Sequence, residues 1–262
     1  MSAKRALIVG TSHSQGTCHN NNAPSISVLP GRWHDYLKTD HDYEVVNISR
    51  ANCTTQQQLL AVLGYFADNP DEKFDLCIVE GRNLEATVSQ PIPEAKNYFT
   101  NIQGTNVENQ YYFWLDDFHR KTDGKKFIQQ IGVMNAYDET RMPDYMPYYV
   151  DYTYSYQHAI DTWSCNLALC EFLNRYCNVV RWHTHSISKS IDNPDLDIHK
   201  IGWALMEPYC ENFGAMHYIG FLPETNGLFK KPEDYCDCGH FNEKGHRKLW
   251  YNVLYPMYKE YV

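Results

Sequence analysis

Four short runs rich in β-branched and other apolar residues recur along the chain: positions 5–10, "YEVVNI" at 43–48, "FDLCIVE" at 74–80 and "NVVRWH" at 178–183. Stretches of helical period separate them. Strands that alternate with helices cannot pair as hairpins; each crossover returns the chain to the same edge, which builds a parallel sheet with helices packed on it. The expected fold is therefore α/β: a three-layer α/β/α sandwich around a parallel, flavodoxin-like sheet of about five strands.

Apolar spacing places the helices. Leu59, Leu60, Leu63 and Phe66 recur at helical period between the second and third runs. Ile160, Trp163, Leu167, Cys170, Leu173 and Cys177 form a longer stripe before the fourth, and His246, Leu249, Trp250, Val253, Leu254 and Met257 form another at the C-terminus. Each predicts one buried helix face. Positions 84–155 break the rhythm with "YYFWLDDFHR" and "YDETRMPDYMPYYVDYTYSYQ", where Pro143 and Pro147 interrupt any long helix and "KFIQQIGVM" reads as a strand. We read positions 1–262 as one domain carrying this Tyr-rich segment as an insertion over the C-terminal edge of the sheet, where ligands of open α/β sheets bind. Its rings have two uses: stacking on a substrate, or burial at a domain or subunit contact.

Charge and cysteine content narrow the function. A net charge of −9 without a Lys/Arg cluster argues against a nucleic-acid partner. Lys4 and Arg5 precede an apolar stretch too short for a secretory signal, and no run approaches a membrane span, so a cytoplasmic protein is expected. Nine cysteines in a chain of 262 residues read as reduced, buried thiols rather than a disulfide framework. "CDCGH" offers Cys236, Cys238 and His240 to a metal, with His246 nearby, but Cys-x-Cys without a second pair is a poor zinc signal, and no metal is expected. Gly10 and Gly16 stand in neither a Walker loop nor G-x-G-x-x-G, and "GTSHS" lacks the second glycine of an α/β-hydrolase elbow. No cofactor is implied.

The chemistry concentrates at the two ends. After the first run comes "GTSHSQG", in which Ser12 reads either as a helix cap or as a nucleophile. Near the C-terminus "YCDCGHFNEKGH" sets Asp237 three residues before His240, a spacing at which a carboxylate can hold the imidazole Nδ1–H and leave Nε2 as a base. His13 reads as a substrate contact, a surface histidine or a second cap; His246 as a packed or capping residue of the last helix; and "HTH" at 183–185 as a solvated loop after the fourth strand or, at the sheet's C-terminal edge, a substrate-facing histidine.

These blocks, in this order, resemble the SGNH, or GDSL, hydrolase family. Gly10-Thr11-Ser12 is similar to the first block, Gly-Asp-Ser; "VVNISRANCTT" to the second; Gly81-Arg82-Asn83-Leu84 to the third, Gly-x-Asn-Asp; and Asp237 with His240 to the last. A looser resemblance is to bacteriophage-encoded proteins of this type with a His after the serine. The resemblance implies a serine esterase acting through an acyl-serine on a small acyl, acetyl-like ester, with a carbohydrate as the expected alcohol. It implies Ser12, Asp237 and His240 as triad and the Ser12 N–H, a backbone N–H near Asn52 and the Asn83 side chain as oxyanion hole. His13 and Arg82, beside Ser12 and Asn83, are the substrate-binding candidates. Thr11, Asn52 and Leu84 depart from the family pattern, which leaves a second reading: a binding or structural module that keeps the fold and has lost turnover.

Overall fold

The computed structural model describes residues 3–18, 27–50, 53–81, 91–92, 126–127, 156–184, 197–210, 228–230, 232–236 and 240–262. Among these, four strands form one all-parallel sheet: β1 (Lys4–Val9), β2 (Tyr43–Asn47), β3 (Phe74–Gly81) and β4 (Cys177–Thr184), in the order β2-β1-β3-β4. All four coincide with the apolar runs. The architecture is α/β. The fifth strand of the expected sheet is not among the described residues.

Alternate residues of the strands enter two hydrophobic clusters. Leu7, Val9, Cys77, Val79, Val180 and Trp182 join one, with residues from α3 (Thr55–Asp68), α4 (Tyr156–Leu173) and Met206 of α5 (Asp197–Met206). Ala6, Ile8, Leu76 and Ile78 join the other, with Leu37 of α2 (Asp35–His41), Leu249 of α6 (Glu243–Leu249) and the turns that follow it, a π-helical stretch Trp250–Leu254 and α7 (Tyr255–Tyr258). Both faces are thus apolar, which is why β1 and β3 carry nearly unbroken apolar runs instead of alternating polar and apolar residues. Buried Trp33 stacks on Trp250 with ring centroids 6.3 Å apart, fastening the segment before α2 to the C-terminal helices.

The C-terminal stripe is buried at every position named from its spacing, from His246 to Met257. Two other stripes need correction. On α3 the buried face is Ala61, Val62, Tyr65 and Phe66, whereas Leu60 and Leu63 are exposed; on α4 Ile160 is exposed while Leu169 is buried. The rest of both stripes faces inward as read: Phe66 on α3 and Trp163, Cys170 and Leu173 on α4 are buried, and on α3 small and aromatic residues hold the inward positions that Leu60 and Leu63 do not. Thr184, read as loop, is the last residue of β4, and His183 at the end of the strand run is fully buried, its Nδ1 2.9 Å from the Tyr258 hydroxyl. His185 lies outside the described residues, as does most of the Tyr-rich segment. The parts described there, Pro91–Ile92 and Lys126–Phe127, pair antiparallel. Among the described residues no helix is long and apolar enough to cross a membrane.

Burial pushes the Cys77 and Cys170 thiols well above the ordinary cysteine value, as expected of packed, unreactive sulfurs. Among the described residues Cys236 departs from the all-thiol expectation: it is disulfide-bonded, so its sulfur is no thiolate ligand for a metal.

Gly81 closes β3 against Trp182 of the neighbouring strand, where an added Cβ would lie 2.2–2.5 Å from indole atoms. Gly81→Ala is expected to destabilise the protein by about 1–3 kcal/mol in urea unfolding through overpacking. The loss should shrink in a Trp182→Leu background, because the two sites share the clash.

Candidate functional site

Parallel strands all end at one edge of the sheet, and here β1 and β3 are neighbours at the point where strand order reverses, the place at which open α/β sheets bind ligands. Gly10 follows β1. A Cβ on it would stand 2.5 Å from Ser14 Oγ and 2.8 Å from a Glu80 carboxylate oxygen, so only glycine lets the turn lie this close to β3. Its carbonyl accepts from Arg50 N at 3.1 Å and Cys53 Sγ at 3.3 Å, which ties the segment after β2 to the same turn.

The short helix α1 (Ser12–Gln15) answers the question of the serine's role. The N-cap is Thr11, not Ser12, and the Thr11 hydroxyl makes no capping bond to the helix. It donates to Glu80 Oε1 instead, while Ser14 N donates to Glu80 Oε2 at 2.7 Å. A carboxylate from β3 therefore caps the turn that a local side chain would ordinarily cap. Ser12 occupies the first helical position. Its Oγ lies 2.8 Å from His240 Nε2, across 228 residues of chain. An imidazole nitrogen at that distance can take a proton from a hydroxyl, the first requirement of an activated oxygen nucleophile.

The loop bearing His240 is held from both sides. Cys236 N donates to the His240 carbonyl at 2.7 Å, and Asn242 N donates to the Asp234 carbonyl at 3.1 Å. Asn242 also caps α6, its Oδ1 accepting from Gly245 N at 3.0 Å. Asp234, fully buried, accepts from Lys230 N at 2.8 Å and from Lys248 Nζ at 2.6 Å. Phe241, next to His240, is fully buried and stacks on Tyr235 at 5.0 Å between ring centroids. A histidine between such anchors has little freedom.

The structure thus brings Ser12 and His240 together. His13 joins them: it is buried rather than at the surface, with its ring centroid 5.0 Å from that of His240 and 5.6 Å from that of Phe241. Asn52, Arg82, Asn83, Leu84 and Asp237 lie outside the described residues. His246 is fully buried on α6 and packs against Phe241, in keeping with a core role.

Three residues that the motifs did not single out support this arrangement. Glu80 is one. Its signal was present in the sequence: a lone carboxylate at the end of the apolar run "FDLCIVE" has no reason to be there unless something holds it. The other two are His34 and Asn47 behind α1, where Asn47 Nδ2 donates to the Ser14 carbonyl at 3.0 Å and His34 Nε2 lies 2.8 Å from the same oxygen. Asn47 Oδ1 accepts from Ser49 N at 2.9 Å, which fixes the orientation of its amide. His34 had no distinguishing pattern around it, and Asn47, though inside the stretch "VVNISRANCTT", was not marked out there.

His34 makes stability depend on pH. Burial above all, and then the Arg32 charge, push its imidazole down to about 4, against the opposing pull of the Asp35 and Glu80 carboxylates. An unfolded chain takes up that proton near the ordinary imidazole value of about 6.5. Between these values the unfolded state binds more protons, so stability holds above about pH 6.5 and falls as pH drops toward 4, by about 3 kcal/mol in all. Urea unfolding across that range should show the loss in the parent protein and a flatter profile in His34→Gln. Compared with known families and curated proteins, the chain matches no family model and no curated protein.

Proposed function

We propose that the chain is a serine esterase of the SGNH type, built as a three-layer α/β/α sandwich with a flavodoxin-like sheet of about five strands. One observation carries the reading: the 2.8 Å contact between Ser12 Oγ and His240 Nε2. Strand order and the location of this pair beside the β1/β3 reversal support it.

In this reading the Ser12 hydroxyl donates to Nε2 of an imidazole whose Nδ1–H faces Asp237. Ser12 Oγ attacks the ester carbonyl carbon as its proton passes to His240. Charge gathers on the carbonyl oxygen, for which the Ser12 N–H, a backbone N–H near Asn52 and the Asn83 side chain are the donors; loss of one such donor costs on the order of 3 kcal/mol of transition-state stabilisation. His240 then returns the proton to the departing alcohol oxygen, leaving an acyl-serine. Water, deprotonated by the same imidazole, releases the acid. His13, buried beside His240, and Arg82 contact the substrate. The substrate class is a small acyl, acetyl-like ester on a carbohydrate, which gives the Tyr-rich segment sugar faces to stack on.

A fluorophosphonate probe tests the chemistry, because it phosphonylates an activated serine regardless of the natural substrate. Labelling of the parent protein and none of Ser12→Ala is the expected result, with His240→Gln slowed by about 10²- to 10⁴-fold. Acetylated sugars should release acetate with the same dependence. A well-folded parent that stays unlabelled across the pH range would refute the esterase and leave a binding module.

A further inference from the structure

The family pattern has an aspartate beside the nucleophile, and this chain has Thr11 there. We propose that Glu80 is the positioning residue that takes over this task from across the sheet, clamping the nucleophile turn so that Ser12 Oγ reaches His240. The inference rests on the esterase reading of the same site.

Four observations carry it. First, Glu80 is 1% exposed, so its carboxylate is removed from water and must be held by partners inside the protein. Second, both carboxylate oxygens accept bonds from one turn: Oε1 from the Thr11 hydroxyl and Oε2 from Ser14 N, the residues on either side of Ser12 and His13. Third, Gly10 leaves the space that the approach needs, since its Cβ would meet Oε2 at 2.8 Å. Fourth, the Glu80 carbonyl accepts from Gln58 Nε2 at 2.9 Å, so the same residue fastens α3, the helix that follows the second block. A chain needing only a helix cap has Thr11 in place to supply one. Its hydroxyl turns away to Glu80 instead, and a buried charge is retained.

The clamp has two consequences for the chemistry. Thr11 is held extended, at φ −106° and ψ −154°, so the chain turns into α1 one residue later and presents Ser12 at the first helical position. The Ser14 N–H is taken by Glu80 and is not a donor to the oxyanion. Glu80 thus acts through Ser12 and does not touch substrate.

The test measures fluorophosphonate inactivation as a function of reagent concentration, with thermal unfolding to confirm folding. Glu80→Ala is expected to lower the rate at saturating reagent by about 10²-fold, the scale of a misplacement near 1 Å, while the half-saturating concentration stays within about twofold. Glu80→Gln can still accept from Ser14 N and bond the Thr11 hydroxyl, so it should retain the rate within about threefold. Thr11→Val, which removes one of the two bonds with little change in shape, should lose about tenfold and decides the matter if Glu80→Ala does not fold. Parental rates in folded Glu80→Ala or in Thr11→Val overturn the clamp, and a Glu80→Gln rate as low as that of Glu80→Ala overturns it in favour of a requirement for the charge. An unlabelled parent protein is a different failure: it refutes the esterase reading and the positioning role with it.

Discussion

The register of β1 against β3 governs everything at the sheet edge. Val9 pairs with Val79, so Gly10 and Glu80 leave the β1–β3 pairing together and the turn bearing Ser12 forms directly against a carboxylate. Side chains of a strand alternate between faces, so a slip of one residue would carry Glu80 to the opposite face of the sheet and strip α1 of its cap. The apolar runs prevent that slip. Cys77 and Val79 would leave one hydrophobic cluster for the other along with it, and both clusters are already filled by helices. The packing energy of the core therefore sets the position of a polar contact that contributes little to the core itself.

The second half of the site arrives from the far end of the chain by a different route. Trp250, Leu254 and Met257 seat the C-terminal helices against Ala6, Ile8 and the residues around Trp33. Phe241 continues that apolar contact to the residue beside His240, while the buried Asp234 and Lys248 pair and the Asn242 cap fix the backbone on either side. The Lys230 N–H and the ammonium of the partly exposed Lys248 both converge on Oδ2 of the buried Asp234. The loop is thus shaped by its own polar network and aimed by the hydrophobic one. Two independently anchored pieces meet at a hydroxyl and an imidazole.

Much of this was legible in the residues. Four strands and the C-terminal helix follow from apolar runs and period alone, because burial on both faces leaves an unmistakable imprint on β1 and β3. Ser12 and His240 were legible as a pair only through their blocks. What escaped has a common physical cause. On α3 and α4 the stripes held at Phe66, Trp163, Cys170 and Leu173 but missed single positions, because Ala61, Tyr65 and Leu169 pack inward while Leu60, Leu63 and Ile160 do not, and hydrophobicity by itself does not rank such residues. His13 and His183 read as exposed because a histidine in a polar stretch looks solvated, yet burial follows from neighbours distant in sequence: His240 and Phe241 for the first, Tyr258 for the second.

Glu80 shows how a local motif can hide a nonlocal solution. A helix of four residues cannot hold its own geometry, since nucleation fixes several dihedrals for a single hydrogen bond. Something outside it must supply the missing order. An aspartate within the turn would do so at short range and leave a recognisable motif; a glutamate on the adjacent strand does so through tertiary structure and leaves only an unexplained charge at the end of an apolar run. The two arrangements differ in what they require of the fold. A local anchor works wherever the turn forms, whereas the Glu80 anchor works only after β1 and β3 have paired in the correct register. Assembly of the turn bearing Ser12 is thereby made conditional on assembly of the sheet, and the Thr11 hydroxyl is one half of the bond that enforces this.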